Sequence, residues 1–475
     1  MADSLSNKKR GGFTGRMGFI LAAAGSAIGL GNVWKFPFEV ADGGGAAFLF
    51  MYLIFCFVFC LPIMVSEISI GRAAQRDAVS AFETGKKSWN VVGKLGVLSA
   101  VLVLSFYNIV AGWALGYVVE ILMGNFSIGE EFGTYINDIA KISLYAGIFM
   151  LLTAYTVSKG ISKGIERLSK VLMPLLLSLM VILILYGFFL PHAGAGLKYY
   201  LIPNFANISL EVIYNAMGQA FFSLSLGLGA MITYGSYLPK NENIVHASAF
   251  VVLADVGIAF LAGLMIFPFV AHLNAGDMSD ISGGAGLIFV TLPGGFESLG
   301  PGIGLVVGSL FFLLLSFAAL TSTVSLLEIP VAYAVDKLSI SRKAVVWFLG
   351  LFVFLLGIPS LLSQGDSAFL SACLSYLNSS ESRSFMDIIE HISSDTFLPL
   401  GGFGIVLYVL FGWRKKRFHA ELSQGYPNYV GSIWQRYLDF SLAYLCPVIL
   451  SLMVLLTILD RFIGINVLKI LTDAL

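Results

Sequence analysis

The chain has 475 residues, of which 57% are hydrophobic and 12% are charged, and its 28 basic and 28 acidic side chains cancel. Soluble domains carry about 25% charged residues, so this composition excludes a soluble protein and indicates a polytopic membrane protein without a nucleic-acid partner. The four cysteines lack the spacing of a zinc site, and Cys56 and Cys60 are predicted to be buried free thiols. We expect no cleavable signal peptide.

Eleven apolar runs are long enough to cross about 30 Å of hydrocarbon. They begin near residues 17, 46, 95, 142, 168, 211, 244, 302, 344, 386 and 436. Lys and Arg concentrate in every second loop, which predicts a cytoplasmic N-terminus and an extracellular C-terminus. The Gly-rich loop at 272–300 is a candidate hairpin over the extracellular mouth, and the tail after Ile463 is expected at the membrane surface.

The first run contains GSAIGLGNVWKFP, residues 25–37. In a helix interior, glycine costs about 1 kcal/mol and proline about 3 kcal/mol relative to alanine. Non-helical backbone is tolerated at membrane depth only where it is buried in protein or lines a polar cavity. The stretch is therefore either an unwound hinge between two half-helices or a Gly-rich helix packed closely on a neighbour.

The sixth run, MGQAFFSLSLGLGAMITYGSY at 217–237, has a second set of central glycines. Corresponding breaks in two sets of five spans indicate an inverted repeat with its binding site where the breaks meet. Half-helix N-termini favour an anion such as a carboxylate, and unwound carbonyls favour a cation. Such a site suits a zwitterion together with a metal cation.

Two further polar features lie inside apolar runs. The eighth run places four hydroxyls between Thr321 and Ser325, which either bond to carbonyls one turn earlier or ligate a small hard cation. Asp255 lies in the seventh run, where an ionisable group is costly and indicates function. The alternative for Asp255 is a protonated acid in a helix-packing hydrogen bond.

The segments GSAIGLGNVWKFP, GGGAAFLF, ISKGIERLSKVLMP, GQAFFSLSLGLGAMITYGSY and LTSTVSLLE together resemble the neurotransmitter:sodium symporter family, over residues 10–460. The resemblance implies an all-α integral membrane protein with eleven transmembrane helices, where many members have twelve, and a 5+5 inverted repeat with broken helices 1 and 6. The resemblance divides the chain into five parts: a cytoplasmic gate segment (1–16), a first repeat (17–187), an extracellular loop (188–210), a second repeat (211–411), and a last span with an extracellular tail (412–475).

The resemblance also implies two sodium sites. The first falls on Ala27, Asn32, Ser223 and Asp255, together with the substrate carboxylate. The second falls on Gly25, Ile28, Ala318, Thr321 and Ser322. Oxygen-only ligation suits a hard cation.

The implied substrate is an amino acid. Its carboxylate would meet the backbone of Leu30 and Gly31 and the hydroxyl of Tyr107. Members that carry monoamines have an aspartate at the position of Gly29, so glycine there leaves the carboxylate to the substrate. The implied side-chain pocket contains no charged group, which favours neutral hydrophobic L-amino acids, aliphatic or aromatic; it is formed by Ala27, Val103, Val110, Phe222, Ser225, Leu228, Ser322 and Leu326, with Ser26 near the substrate.

Gates follow from the same resemblance. Arg10 and Asp336 would close the cytoplasmic side with support from Tyr237, and Phe222 would form the outer lid. Lys35 takes the place of the family's outer arginine and cannot make its bidentate fork. Its acidic partner is Glu390 or Asp387, of which we favour Glu390.

Chloride is not expected to be required. Its ligands in animal members match Tyr52, Gln219 and Ser223, but the fourth position is Ala259 here, which offers no side-chain donor. Asp255 is predicted to supply the negative charge in place of chloride and to take a proton in the empty return step.

The sequence bears on four other functions. A channel would need a continuous polar pore, and a deep site closed at both ends argues against one. An intramembrane enzyme would need a Ser/His or paired-Asp arrangement. No such arrangement is visible in this sequence, so no enzymatic activity is expected. A proton-coupled amino-acid transporter of the same fold would place a lysine on the fifth run at the second sodium site, where this chain has no basic residue. A non-transporting amino-acid-binding regulator stays open. The expected partners are a small-molecule amino acid and the bilayer of the cell membrane, with the protein a monomer or weak dimer.

Overall fold

The computed structural model describes residues 12–278, 286–338, 340–365, 367–375 and 382–474. These parts of the chain are almost entirely helical, and a two-residue strand pair joins Leu374–Ser375 to Ser382–Arg383. The all-α membrane fold predicted from the sequence is confirmed. Most of the apolar side chains that the helices turn inward belong to one continuous buried cluster.

Within the described residues, nine helices are long and apolar enough to cross a membrane, and a bent pair makes a tenth candidate span. We number these ten candidate spans, together with the predicted run between the fifth and sixth of them, α1 to α11 in chain order. The bent pair, Arg16–Ala27 with Gly31–Asp42, is α1. The unbroken spans are α2 Ala46–Ala74, α3 Lys87–Leu122, α4 Ile139–Ser158, α5 Ile161–Gly187, α7 Ile244–Leu273, α8 Gly302–Leu338, α9 Arg342–Leu362, α10 Phe385–Trp413 and α11 Ile433–Ile463.

The remaining predicted run is α6, which consists of two short helices, Leu210–Ser223 and Ala230–Gly235. Between them the backbone takes positive φ at Ser225, Gly227 and Gly229, with values of 52°, 82° and 77°. Glycine adopts such angles without steric cost, whereas serine is strained there. Gly227 also has no room for a side chain, because a Cβ would lie 2.2 Å from the Leu398 carbonyl oxygen of α10.

The break in α1 follows from its sequence in the same way. The two halves are inclined by 51°. Ile28 leaves the helical region with ψ of 108°, and helical structure resumes at Gly31. Residues 25–37 therefore contain an unwound hinge between two half-helices and do not form one straight Gly-rich helix.

The Gly-rich loop forms a helix rather than a hairpin in its described part, Leu287–Ser298, while residues 279–285 lie outside the described ranges. The Tyr117 hydroxyl of α3 donates to the Phe289 carbonyl at 2.8 Å. The Phe289 ring also packs edge-on against Trp34 of α1, with centroids 6.3 Å apart. These contacts join this loop to both α3 and the second half of α1. After Gly464 the tail forms a short helix, Val467–Ala474.

Candidate functional site

A cavity lies where the breaks in α1 and α6 meet, between these helices, α3 and α8. Residues predicted for the substrate site supply most of its wall: Ala27, Gly29, Gly31, Val103, Tyr107, Phe222, Ser225, Leu228, Ser322 and Leu326. Ser223 and Leu398 complete the lining. Sequence reasoning assigned Ser223 to a cation site and missed Leu398, which α10 contributes opposite Gly227.

Three predicted substrate-site residues are absent from the wall of this cavity. Val110 is buried within α3. Leu30 contributes its backbone N–H, which donates to the Tyr107 hydroxyl at 2.7 Å. Ser26 lies behind the wall, where its hydroxyl is hydrogen-bonded to that of Ser325 and its carbonyl accepts from Ser225 at 3.2 Å.

The non-helical turn of α1 approaches α3 and α8 so closely that only glycine fits at position 29. A Cβ on Gly29 would lie 2.2 Å from the Ser322 hydroxyl oxygen and 2.6 Å from that of Tyr107. The missing side chain leaves the Leu30 N–H and the Tyr107 hydroxyl together at one end of the cavity. The Leu30 N–H is engaged by the Tyr107 oxygen, and the Tyr107 O–H is the donor that this end of the cavity offers to a carboxylate.

The residues predicted to bind the first cation are brought together around Ser223, which lines the same cavity. Asn32 Nδ2 donates to Asp255 Oδ1 at 2.8 Å and to Ser223 Oγ at 3.0 Å. Ser223 Oγ donates to Asp255 Oδ2 at 2.9 Å. All three side chains are buried, and they come from α1, α6 and α7. Ala27, the fourth member, lies in the cavity wall.

Two more side chains surround Asp255 and Ser223. The Tyr52 hydroxyl of α2 donates to Asp255 Oδ2 at 3.1 Å. Gln219 Nε2 donates to the Gly31 carbonyl at 2.8 Å, while its Oε1 has no hydrogen-bond partner among the described residues. The donors that correspond to a chloride site in animal members are thus engaged with a carboxylate and a carbonyl. Ala259 is buried in α7 and offers only a methyl group.

The second predicted cation set joins α8 to the break in α1. Thr321 Oγ1 donates to the Ala318 carbonyl at 2.9 Å and lies 3.3 Å from the Ile28 carbonyl. Ser322 Oγ also lies 3.3 Å from the Ile28 carbonyl. Gly25 packs directly on Thr321, since a Cβ there would lie 3.5 Å from the Thr321 Cβ.

The four hydroxyls of α8 therefore divide between different neighbours. Thr321 and Ser322 face the break in α1, although Thr321 also makes the bond to its own helix that the alternative interpretation expects. Thr323 instead meets Thr153 of α4, with the oxygens 2.8 Å apart. Ser325 meets Ser26.

The outer side of the cavity is covered by Phe222 and Lys35. Lys35 Nζ lies 4.7 Å from the centre of the Phe222 ring and 3.7 Å from Glu390 Oε1. Asp387, the other candidate partner, accepts from the Ser384 backbone N–H at 3.1 Å and caps the start of α10. Lys35 thus pairs with Glu390, and the ammonium also makes a cation–π contact with the lid.

The inner side is closed by the segment before α1. Phe13 is buried edge-on against Tyr234 and Tyr237, and the Thr14 N–H donates to Glu166 of α5 at 2.9 Å. Asp336 accepts from the Asp77 N–H at 3.0 Å. Arg10, its predicted gate partner, lies outside the described residues.

Sequence reasoning missed two buried acids that contact the gate and the α6 break, Glu328 and Glu67. Tyr237, predicted to support the Arg10 gate, donates to Glu328 at 2.9 Å, and Glu328 is paired with Arg342. Glu67 of α2 accepts from the Gly227 N–H at 2.8 Å and thereby holds the α6 break. The signal was available, because Glu67 and Glu328 are acids inside apolar runs, the feature that singled out Asp255.

Comparison with known proteins identifies the family. The model of the Sodium:neurotransmitter symporter family matches residues 10–137 and 125–459. The chain belongs to this family. It is 37% identical over 429 residues to the uncharacterised sodium-dependent transporter YhdH of Bacillus subtilis (strain 168), which covers 89% of this chain and 92% of that protein.

Two further comparisons agree with this assignment. The chain is 32% identical over 477 residues to an uncharacterised sodium-dependent transporter of Methanocaldococcus jannaschii, covering 95% of this chain and 91% of that protein. The crystal structure of MhsT in complex with L-phenylalanine matches with a TM-score of 0.83 and 39% identity, over 94% of this chain and 99% of that one. The family prediction is confirmed. This protein is a multi-pass membrane protein of a sodium-dependent transporter family and not an enzyme.

Proposed function

We propose that this symporter-family protein carries neutral hydrophobic L-amino acids, aliphatic or aromatic, together with sodium by alternating access. One observation supports this most directly. The cavity is lined by Tyr107, whose oxygen accepts from the Leu30 N–H, and by Ser223, which is hydrogen-bonded to Asn32 and Asp255. An amino acid bound there would place its carboxylate beside both the Tyr107 hydroxyl and the first sodium ion.

The rest of the cavity wall supports a hydrophobic substrate. Val103, Phe222, Leu228 and Leu326 supply apolar surface, and the lining contains no ionisable side chain apart from the phenol of Tyr107. A charged substrate side chain would be buried without a partner, which is costly. The relative MhsT was solved with L-phenylalanine, and its likeness to this chain makes an aromatic amino acid a natural candidate substrate.

Two sodium ions are proposed. The first would be held by Ala27, Asn32, Ser223 and Asp255 with the substrate carboxylate. The second would be held by five oxygens that belong to Gly25, Ile28, Ala318, Thr321 and Ser322. The Thr321 and Ser322 hydroxyls lie at equal distances from the Ile28 carbonyl, which supports a shared cation between α1 and α8.

Transport is proposed to be independent of chloride. A bound chloride needs N–H or O–H donors, but Tyr52 and Ser223 donate to the Asp255 carboxylate and Gln219 donates to Gly31. The carboxylate therefore takes the place of the anion. An anion added beside it would also meet like-charge repulsion in a low-dielectric site.

The protein is proposed to have its N-terminus in the cytoplasm of the cell and its C-terminus outside. Cys373, in the loop between α9 and α10, provides a native probe because it is partly exposed, while Cys56, Cys60 and Cys446 are buried. We expect a membrane-impermeant maleimide to label intact cells at Cys373 and not to label Cys373→Ser. Labelling that appears only after the membrane is permeabilised would reverse the orientation.

Uptake into proteoliposomes tests the transport function. A panel of radiolabelled amino acids is offered under an inward sodium gradient, an inward proton gradient without sodium, and no gradient. We expect accumulation of hydrophobic amino acids only with sodium. Equal uptake in choline buffer across pH would favour a proton-coupled transporter, and sodium-dependent binding without accumulation would favour a regulator.

A further inference from the structure

Six cations lie together at one corner of the protein, on the face that the distribution of Lys and Arg between alternate loops assigns to the cytoplasm. Three of them, Lys86, Lys87 and Lys94, precede or begin α3, and three more, Arg414, Lys416 and Arg417, follow α10. All six side chains are exposed. We call this set the basic corner.

The two segments of the basic corner are joined by aromatic packing. Trp89 lies 5.7 Å from the Tyr408 ring, and a Cβ on Gly412 would lie 2.9 Å from Trp89 Nε1. Lys87 lies two residues before Trp89, and Arg414 lies two residues after Gly412. The polar helix Lys415–Gln424 is held beneath this junction by Phe418 against Trp413 and by the buried ion pair between Arg72 and Glu421 at 2.7 Å.

Carboxylates near the corner are engaged elsewhere. Glu83 pairs with Lys337 at 3.6 Å, and Asp439 pairs with Lys415 at 3.1 Å. Across the described ranges, none of the six cations of the corner has an ion-pair partner among the carboxylates. The corner therefore has a positive potential that an anionic ligand can neutralise.

Exposed apolar side chains place this corner at the surface of the membrane. Lys87, Val91, Lys94 and Leu98 recur at helical spacing and share one face of the start of α3. Val91, Leu98 and Phe411 are large exposed apolar side chains, which the hydrocarbon of a membrane can cover. Trp89 lies at the boundary between the cations and the apolar surface, where tryptophan is favoured in membrane proteins.

We propose that the basic corner is a binding site for an anionic phospholipid. The cations would contact the phosphate and the acidic headgroup, and the apolar surface of α3 and α10 would contact the acyl chains. A soluble anion would contact the cations but not the apolar surface of α3 and α10. The site is separate from the transport cavity and does not depend on the substrate proposed above.

Competition between two lipids tests the site. The full-length protein in detergent is mixed with equal amounts of phosphatidylglycerol and phosphatidylcholine of matched chains, and bound lipid is counted by native mass spectrometry. We expect wild type to prefer phosphatidylglycerol, and the preference to fall about fivefold for each cation removed. The test variant carries Lys87→Gln, Lys94→Gln, Lys416→Gln and Arg417→Gln.

Two controls make the result decisive. Lys159→Gln, Lys163→Gln and Arg167→Gln remove three exposed cations from the junction of α4 with the first turns of α5, and this variant should keep the preference. Lys87→Arg with Lys94→Arg keeps the charge and should also keep it. The proposal is overturned if the test variant prefers phosphatidylglycerol as wild type does, if the α4–α5 control loses as much, or if millimolar inorganic phosphate displaces the lipid.

Discussion

Replacing Thr321 and Ser322 together by alanine is expected to raise the sodium concentration for half-maximal substrate binding at least about tenfold. Loss of groups that only support a metal ligand already costs 10–100-fold in affinity, and this change removes two proposed ligands of the second sodium ion. The measurement is a sodium titration of radiolabelled amino-acid binding to purified protein. Thr321→Ala alone should show much of the effect without altering the cavity, because Thr321 does not line it.

Thr323→Ala is the matched control for this titration. It also removes a buried hydroxyl from α8, but that hydroxyl contacts Thr153 and lies away from the α1 break. We expect a small loss of thermal stability and no change in sodium dependence. A sodium titration that is the same in the double variant and in Thr323→Ala would contradict the proposed second site.

The two helix breaks could be predicted from sequence because their cause is local. Glycine and proline disfavour helix whatever surrounds them, and the observed non-helical turns coincide with Gly25–Pro37 and with the glycines of α6. The limits of the hinge could not be predicted as well. Helical structure returns at Gly31, inside the glycine-rich motif, because the N–H groups of Gly29 and Leu30 find side-chain acceptors at Asn32 and Tyr107.

Pairings between distant segments were harder to predict. The sequence favours Glu390 as the partner of Lys35 without excluding Asp387, and the choice depends on the start of α10, where Asp387 turns back to cap its own helix. The polar contacts of Ser26 behind the cavity wall also depend on tertiary packing. Glu67, Glu328 and Leu398 were missed because their roles depend on tertiary contacts, with the Gly227 N–H, with Tyr237 and with the cavity.

Uptake by the wild-type protein is expected to be the same when gluconate replaces chloride. Asp255 is fully buried and accepts hydrogen bonds from Asn32, Ser223 and Tyr52. A carboxylate about 4 Å from sodium gains on the order of 4 kcal/mol at an effective dielectric constant of 20, against about 1 kcal/mol in bulk water. A charge fixed in the protein therefore supplies what chloride would supply. A collapse of uptake in gluconate would contradict this role.

Asp255→Asn should then weaken sodium-dependent uptake by between about tenfold and a thousandfold, the upper value being the loss of the whole Coulomb gain. The amide keeps one oxygen for sodium but removes the negative charge. It also releases the Tyr52 and Ser223 hydroxyls, which are suitable donors for an anion. We therefore expect chloride to restore part of the uptake in Asp255→Asn while having no effect on wild type.

The pH dependence of turnover is a second readout for Asp255→Asn, because it reports on the return of the empty transporter. Once sodium leaves, a lone buried carboxylate is costly and is expected to take a proton, so wild-type turnover should depend on pH, whereas asparagine cannot titrate. Ser248→Ala is the control, because it removes another buried polar group of α7 that has no hydrogen-bond partner among the described residues. If Asp255→Asn matches wild type in sodium, chloride and pH dependence, Asp255 neither replaces chloride nor carries a proton, even if transport proves independent of chloride.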